Sequence, residues 1–284
     1  MGCDIVYDLK AGIVTKNQNA YVQDILTQHK ITHKHNYPCR DDIITGAKPK
    51  TKPLSKWRHS IYRSALQQAA YVDRPDIKFA VSVLQRYASN PVETDLEDLF
   101  HLYGYLNRFK TMSFKYSPSD LQLRGFVDAS WEVNGHYGYL LSLGGENNAC
   151  IVSKSARLRT VHRSSTEAEI TAVNEVTSEV LWGIDMLDGL GHPQDPVCLK
   201  EDNEACISMM QRDPRNFQTK SKHVRIKWAF YRQQFKLKQL YLEHCRTTDM
   251  RADILTKPLT GAPFVKHIGG MFNCTATMLR GVQK

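Results

Sequence analysis

Two kinds of hydrophobic spacing divide the chain. Up to about residue 118 the apolar positions recur mainly at helical steps. A hairpin comes first, with residues 4–7 and 13–15 alternating around a turn at Lys10-Ala11-Gly12. Helices are predicted over 19–29, 57–71, 75–88 and 95–109. Pro75 occupies the first helical position of the third, Asn90-Pro91 stops it, and Thr94 with Glu97 has the spacing of a capping box for the fourth. Residues 33–56, rich in Lys, Pro and His, bury little and are expected to form a mobile linker. From residue 119 the pattern changes. Residues 123–130, 137–143 and 149–153 alternate or run apolar between Gly-rich turns, which predicts three successive antiparallel strands. A long helix from 164 follows and ends by Gly189 to Pro193. A strand over 197–200, helices over 205–210 and 223–236, a strand over 240–244 and a last helix holding Asp253 complete the pattern. A strand, a crossover helix and a further strand in one sheet imply parallel pairing, in which ligands gather at the carboxyl ends of the strands.

The long helix opens with Ser164-Ser165-Thr166-Glu167-Ala168-Glu169, where Ser164 to Glu167 and Thr166 to Glu169 both fit a capping box. Ile170, Val173, Val176, Val180, Ile184 and Leu187 then recur at steps of three and four. At about 100° per residue this apolar face centres within roughly 30° of Glu169, whereas Glu167 lies about 130° away. A carboxylate is therefore aimed at the buried side, where a bare charge needs a partner. Glu169 is either a cap folded back onto its own backbone or a member of a site.

Composition narrows the classes. The chain has 284 residues and a net charge of +9, which suits a polyanionic partner. It lacks an apolar run long enough for a membrane span, and its first ten residues lack the order of a signal peptide, so no membrane partner and a cytoplasmic location are expected. The seven cysteines are scattered without a C-x-x-C pair, which argues against a disulfide framework or a structural zinc site. Tyr71-Val72-Asp73 has part of a polymerase Tyr-x-Asp-Asp signature, but position 74 is Arg and the segment lies between two helices.

Four carboxylates converge in this topology: Asp128 after the first strand of the second region, Glu169, Asp202 after the fourth strand, and Asp253. Singly, each is most simply a turn former or a cap. Jointly, acids crowded at one sheet edge repel unless a multivalent cation neutralises them, and oxygen donors without His or Cys favour Mg²⁺ or Mn²⁺. Two such ions about 4 Å apart suit phosphodiester hydrolysis.

Several strings resemble the ribonuclease H domain of copia-type LTR retrotransposon Pol polyproteins, preceded by the end of the reverse transcriptase. They are Phe126-Val127-Asp128-Ala129-Ser130-Trp131, Val152-Ser153-Lys154-Ser155, Ser164-Ser165-Thr166-Glu167-Ala168-Glu169, Glu201-Asp202-Asn203, Lys222-His223-Val224 and Ala252-Asp253-Ile254-Leu255-Thr256-Lys257-Pro258-Leu259. Upstream, Arg74-Pro75-Asp76-Ile77 and Ser89-Asn90-Pro91 look like the region that joins polymerase to nuclease. The resemblance implies an α/β fold, with a ribonuclease H-like mixed five-stranded sheet and flanking helices over 119–260. A smaller α+β region over 1–118, similar to a reverse-transcriptase thumb or connection, would precede it, and 261–284 would be a tail.

It further implies a two-metal-ion endoribonuclease that cleaves the RNA strand of an RNA–DNA hybrid. Asp128, Glu169, Asp202 and Asp253 would hold two Mg²⁺ or Mn²⁺ ions, with Glu167 as a fallback ligand and His244 as an auxiliary group. The upstream polymerase part is the implied protein partner, and a virus-like particle or the nucleus are alternative locations. The paired polymerase aspartates match nothing in this chain. Residues 212–238 carry nine Lys or Arg against one acid. In this context Arg215, Lys220, Lys222 and Arg225, and the run Lys154, Arg157, Arg159 and Arg163, are expected along a phosphate backbone; solvated faces are the alternative. Leu158 and Arg225 depart from the family pattern without removing a candidate ligand. The competing reading is a non-catalytic nucleic-acid-binding remnant of a polyprotein.

Overall fold

The structure is a computed structural model and describes residues 2–40, 52–132, 134–145, 148–212 and 221–274. The chain divides into two compact units: Met1–Tyr116 with Pro258–Lys284, and Ser117–Lys257.

The first unit begins with the antiparallel pair β1 (Asp4–Asp8) and β2 (Ile13–Asn17), joined through Gly12 at a φ of 65° that favours glycine. Helices α1 (Asn19–Gln28) and α2 (Lys56–Tyr71) follow, the latter capped by Ser55, whose hydroxyl accepts the Arg58 N–H. Pro75 opens a 3-10 turn (Pro75–Ile77) that runs into α3 (Lys78–Gln85), so the helix expected over 75–88 is divided and shorter. Helix α4 (Glu93–Arg108) starts two residues before its expected place. Its cap is not the Thr94/Glu97 box: the Asp95 carboxylate accepts the Val92 N–H at 2.8 Å. A short strand, β3 (Phe114–Tyr116), pairs with β2 and makes a three-stranded sheet that local periodicity did not indicate. Of the expected linker, residues 41–51 lie outside the described residues.

The second unit is built on a mixed five-stranded sheet. Strands β4 (Leu123–Ala129), β5 (His136–Leu143) and β6 (Cys150–Arg157) are consecutive and antiparallel. Helix α5 (Ser165–Gly189) crosses over to β7 (Val197–Glu201), which pairs parallel to β4; helices α6 (Glu204–Gln211) and α7 (Lys222–Lys236) lead to β8 (Leu240–His244), parallel to β7. The spatial order is β6-β5-β4-β7-β8. This α/β architecture has the mixed five-stranded sheet and flanking helices that the resemblance implies.

One face of the sheet meets the long helix. Leu123, Val127, Ala129, Tyr139, Leu141, Val197 and Leu199 share a core with Ile170, Val173, Val176 and Val180 of α5, and with Trp228 and Tyr231 of α7. Because side chains alternate along a strand, Asp128 lies on the opposite face from Val127 and Ala129. That face carries a 3-10 turn (Arg251–Leu255) where an α-helix holding Asp253 was expected. The last helix, α8 (Gly261–Phe272), belongs to the first unit and buries Phe264, Ile268 and Phe272, so this part of the expected tail is ordered core. Among the described residues no helix is long and apolar enough to cross a membrane.

Candidate metal centre and nucleic-acid surface

The two glutamates at the start of α5 divide two tasks. Ser164 Oγ accepts the Glu167 N–H at 3.3 Å, and the Glu167 carboxylate reaches back to accept the Arg163 N–H at 2.9 Å. Glu167 therefore serves as a capping residue of α5. Glu169 does not cap. It is 4% exposed, and its Oε2 is buried without a hydrogen-bond partner.

Asp128 near the end of β4 and Asp202 just after β7 come to the same place because those strands pair in parallel. One carboxylate oxygen from each of Asp128, Glu169 and Asp202 lies within 4.8 Å of the others. Ligands about 2.1 Å from one octahedral ion stand roughly 3 to 4 Å apart, so a small contraction would let all three share an ion. The donor set is oxygen only, and the partnerless buried oxygen of Glu169 is what such an ion would satisfy; the residues fit a hard divalent cation.

The 3-10 turn brings the fourth acid over this cluster. Thr256 Oγ1 donates to Asp128 Oδ2, and Ser155 Oγ donates to the Leu255 carbonyl at 2.6 Å, which ties the turn to β4 and β6. Lys257 Nζ contacts Asp253 Oδ1 at 2.8 Å and stands 3.8 Å from Asp128 Oδ2.

A fifth acid, Glu201, was not among the residues singled out from sequence. It is fully buried; Oε1 accepts the Asn203 N–H at 3.0 Å and Oε2 has no partner. Its position was readable: Val197, Leu199 and Glu201 are alternate residues of β7, so a side chain at 201 joins the buried row. Asn203 meanwhile caps α6 by accepting the Cys206 N–H at 2.9 Å.

These acids resist ionisation together. Burial, with Asp253 and Asp202 adding repulsion and Lys257 opposing it, pushes the Asp128 carboxyl up to about 6. Burial and then the neighbouring Glu201 and Asp128 hold Glu169 well above the usual carboxylate range. Glu201 is likewise raised well above it, chiefly by burial, and burial raises Asp253 against the pull of Lys257. Burial alone would lower the Lys257 ammonium, but Asp128 and Asp253 more than offset this and leave it above an ordinary lysine.

The basic candidates occupy two elements. Lys154 and Arg157 on β6 and Arg159 and Arg163 beyond it are exposed; Lys154 Nζ lies 5.8 Å from the Tyr137 ring centre and 5.9 Å from that of Tyr139. Lys154, Arg157 and Arg159 line a cavity of about 360 Å³ together with Glu175 and Lys227. Lys227, a half-buried residue of α7, donates to Thr171 Oγ1 at 2.9 Å and was not picked out from the basic run around it. Lys222 and Arg225 are exposed near the start of α7, whereas Arg215 and Lys220 lie outside the described residues. His244 is exposed at the end of β8, in register with Glu201.

No family model matches the chain. Among curated proteins, the retrovirus-related Pol polyprotein from transposon RE1 of Arabidopsis thaliana is 29% identical over 270 residues, 87% of this chain and 17% of that polyprotein. The corresponding polyprotein from transposon RE2 of the same plant is 30% identical over 210 residues, 70% of this chain and 14% of its own length. The secreted RxLR effector protein 161 of Plasmopara viticola is 35% identical over 130 residues, 43% of this chain and 89% of that protein. Among solved structures, the ribonuclease H1 LC11 isolated from compost aligns with 48% of this chain and 93% of its own at 18% identity and a TM-score of 0.38. The chain thus spans less than a fifth of the length of the polyproteins it matches. With its mixed five-stranded unit and its similarity to those polyproteins over most of its length, it belongs to the family of retrovirus-related Pol polyproteins from copia-type transposons.

Proposed function

We propose that the Ser117–Lys257 unit is a two-metal-ion endoribonuclease that cleaves the RNA strand of RNA–DNA hybrids. The observation that carries this reading is the meeting of Asp128, Glu169 and Asp202 within 4.8 Å, with a buried Glu169 oxygen that lacks a partner. Asp128, Glu169 and Asp202 would hold one face of the ion pair, and Asp253 would close it from the 3-10 turn. Bound Mg²⁺ or Mn²⁺ would supply an activated water and neutralise charge at the leaving 3′ oxygen. Lys154, Arg157, Arg159 and Arg163 would track one strand's phosphates, and Lys222 and Arg225 the other's, with the hybrid read through its wide minor groove and 2′-hydroxyls. The upstream polymerase part of a longer polyprotein would present that hybrid.

A second reading is a nucleic-acid-binding protein that cuts nothing. It draws on the Plasmopara viticola relative, 89% of whose length is matched by this chain and whose name describes a secreted effector. Incubating the full chain with labelled hybrid and with double-stranded DNA, in Mg²⁺ and in EDTA, separates the two. Metal-dependent loss of the RNA strand alone is expected. Binding of hybrid without cleavage in Mg²⁺ or Mn²⁺ would leave only the second reading.

A further inference from the structure

Lys257 places a cation inside the candidate metal centre. It stands four residues beyond Asp253, and its ammonium spans Asp253 at 2.8 Å and Asp128 at 3.8 Å. The two carboxylates are buried, with side chains 10% and 3% exposed, whereas 40% of the lysine side chain is exposed. The ammonium therefore contacts two buried acids while part of the lysine side chain reaches solvent. A divalent ion seated on Asp128 and Asp253 would come within about 5 Å of Nζ, where repulsion between the two cations is strong. A flexible four-carbon stem at the surface gives the ammonium a way out.

We propose that Lys257 is a resident counter-cation of the cluster, which holds Asp128 and Asp253 together in the ion-free protein and is exchanged for a divalent ion on loading. This rests on the metal-centre reading above. Metal binding is then a swap of cations rather than an addition. Lys257 acts as a positioning residue: it keeps the 3-10 turn seated on the sheet when no ion is bound, and it sets a threshold that the ion must exceed.

Calorimetric titration of Mn²⁺ into the full chain tests the exchange, using the unsubstituted protein, Lys257→Met and Lys257→Arg. The Met variant keeps length without charge. It should bind Mn²⁺ about tenfold tighter or more while melting at a lower temperature in EDTA. The Arg variant should stay close to the unsubstituted protein in affinity. A purely structural lysine would instead lose stability and affinity together, so equal or weaker Mn²⁺ binding by the Met variant overturns the proposal. Failure of the unsubstituted protein to bind Mn²⁺ would remove the metal centre itself, and the exchange with it. A second measurement needs no substitution. Acetylation of Lys257 by acetic anhydride, followed by mass spectrometry, should speed up severalfold in Mg²⁺ relative to the exposed Lys236, because the released ammonium leaves its carboxylates. A rate that is unchanged or slowed by Mg²⁺ also overturns the proposal.

Discussion

Gly138 lies directly opposite Asp128 across the β4–β5 pair, and the space a side chain would take there is filled by the 3-10 turn. An added Cβ would come within 2.5 Å of the Leu255 Cβ and 3.2 Å of its carbonyl carbon. The turn carrying Asp253 can rest on the sheet because this position has no side chain. Gly138→Ala should lift the turn, cost about 1–3 kcal/mol in thermal or urea unfolding, and weaken divalent-ion binding. Unchanged stability together with unchanged ion affinity would show that the turn is not held in this way.

Charge and scaffold can be separated at Glu169. Glu169→Gln removes a buried carboxyl that burial and the neighbouring Glu201 and Asp128 hold back from ionising and whose second oxygen has no partner, so the ion-free protein should be stabilised, by about 1 kcal/mol or more. The same change should abolish stabilisation by Mg²⁺ and lower hybrid cleavage by orders of magnitude. Asp202→Asn should act in the same two directions, with a smaller gain in stability because Asp202 is only partly buried. A destabilised Gln variant that still cleaves would remove Glu169 from the site.

The pH dependence has an unusual sign. Asp128 titrates at about 6 in the folded protein and near 3.9 in an unfolded chain. Between about pH 4 and 6 the folded state keeps a proton that the unfolded chain has released, so this group's contribution to stability falls as pH rises and its penalty is complete above 6. Glu169, Glu201 and Asp253 are raised in the same sense. A divalent ion favours the ionised forms, so the Mg²⁺-induced rise in Tm should be small at pH 5 and much larger at pH 8. A rise that does not vary with pH would contradict the raised carboxyls.

Salt dependence reports on the basic surface. Each lysine or arginine that neutralises a phosphate contributes about 0.9 to the slope of log affinity against log salt on a DNA duplex, and a slope of that order is expected on the hybrid. Replacing Arg157, Arg159 and Arg163 by Ala should flatten the slope by about two to three, and replacing Lys222 and Arg225 by about one to two. Slopes equal to that of the unsubstituted protein would return these residues to a solvated face.

Much of this architecture was legible in the residues. The 100° step of α5 separates Glu169 from Glu167 before any coordinates, and the alternation of β4, β5 and β7 places their ends. What escaped was what local pattern does not encode. Strand β3 is three residues long and exists through its pairing with β2, about a hundred residues earlier in the chain. Helix α8 begins at Gly261 with Pro263 close behind, a composition that reads as a tail until its apolar face finds a core. Glu201 hid because a charged residue ended an apolar row, and Lys257 because its meeting with Asp128 depends on a 3-10 turn rather than on spacing.

The parallel β4–β7 pairing, with α5 as its crossover, also governs how the site comes into being. Asp128 and Asp202 can meet only after the intervening antiparallel strand pairs and the whole crossover are in place, and Asp253 only after β8 has added to the sheet edge. Contacts this distant along the chain are slow to form, because loop closure comes before the reward of pairing. During synthesis the residues of β4, β5 and β6 are therefore made well before those that complete the cluster, and Asp253 is the last of its four acids to be added.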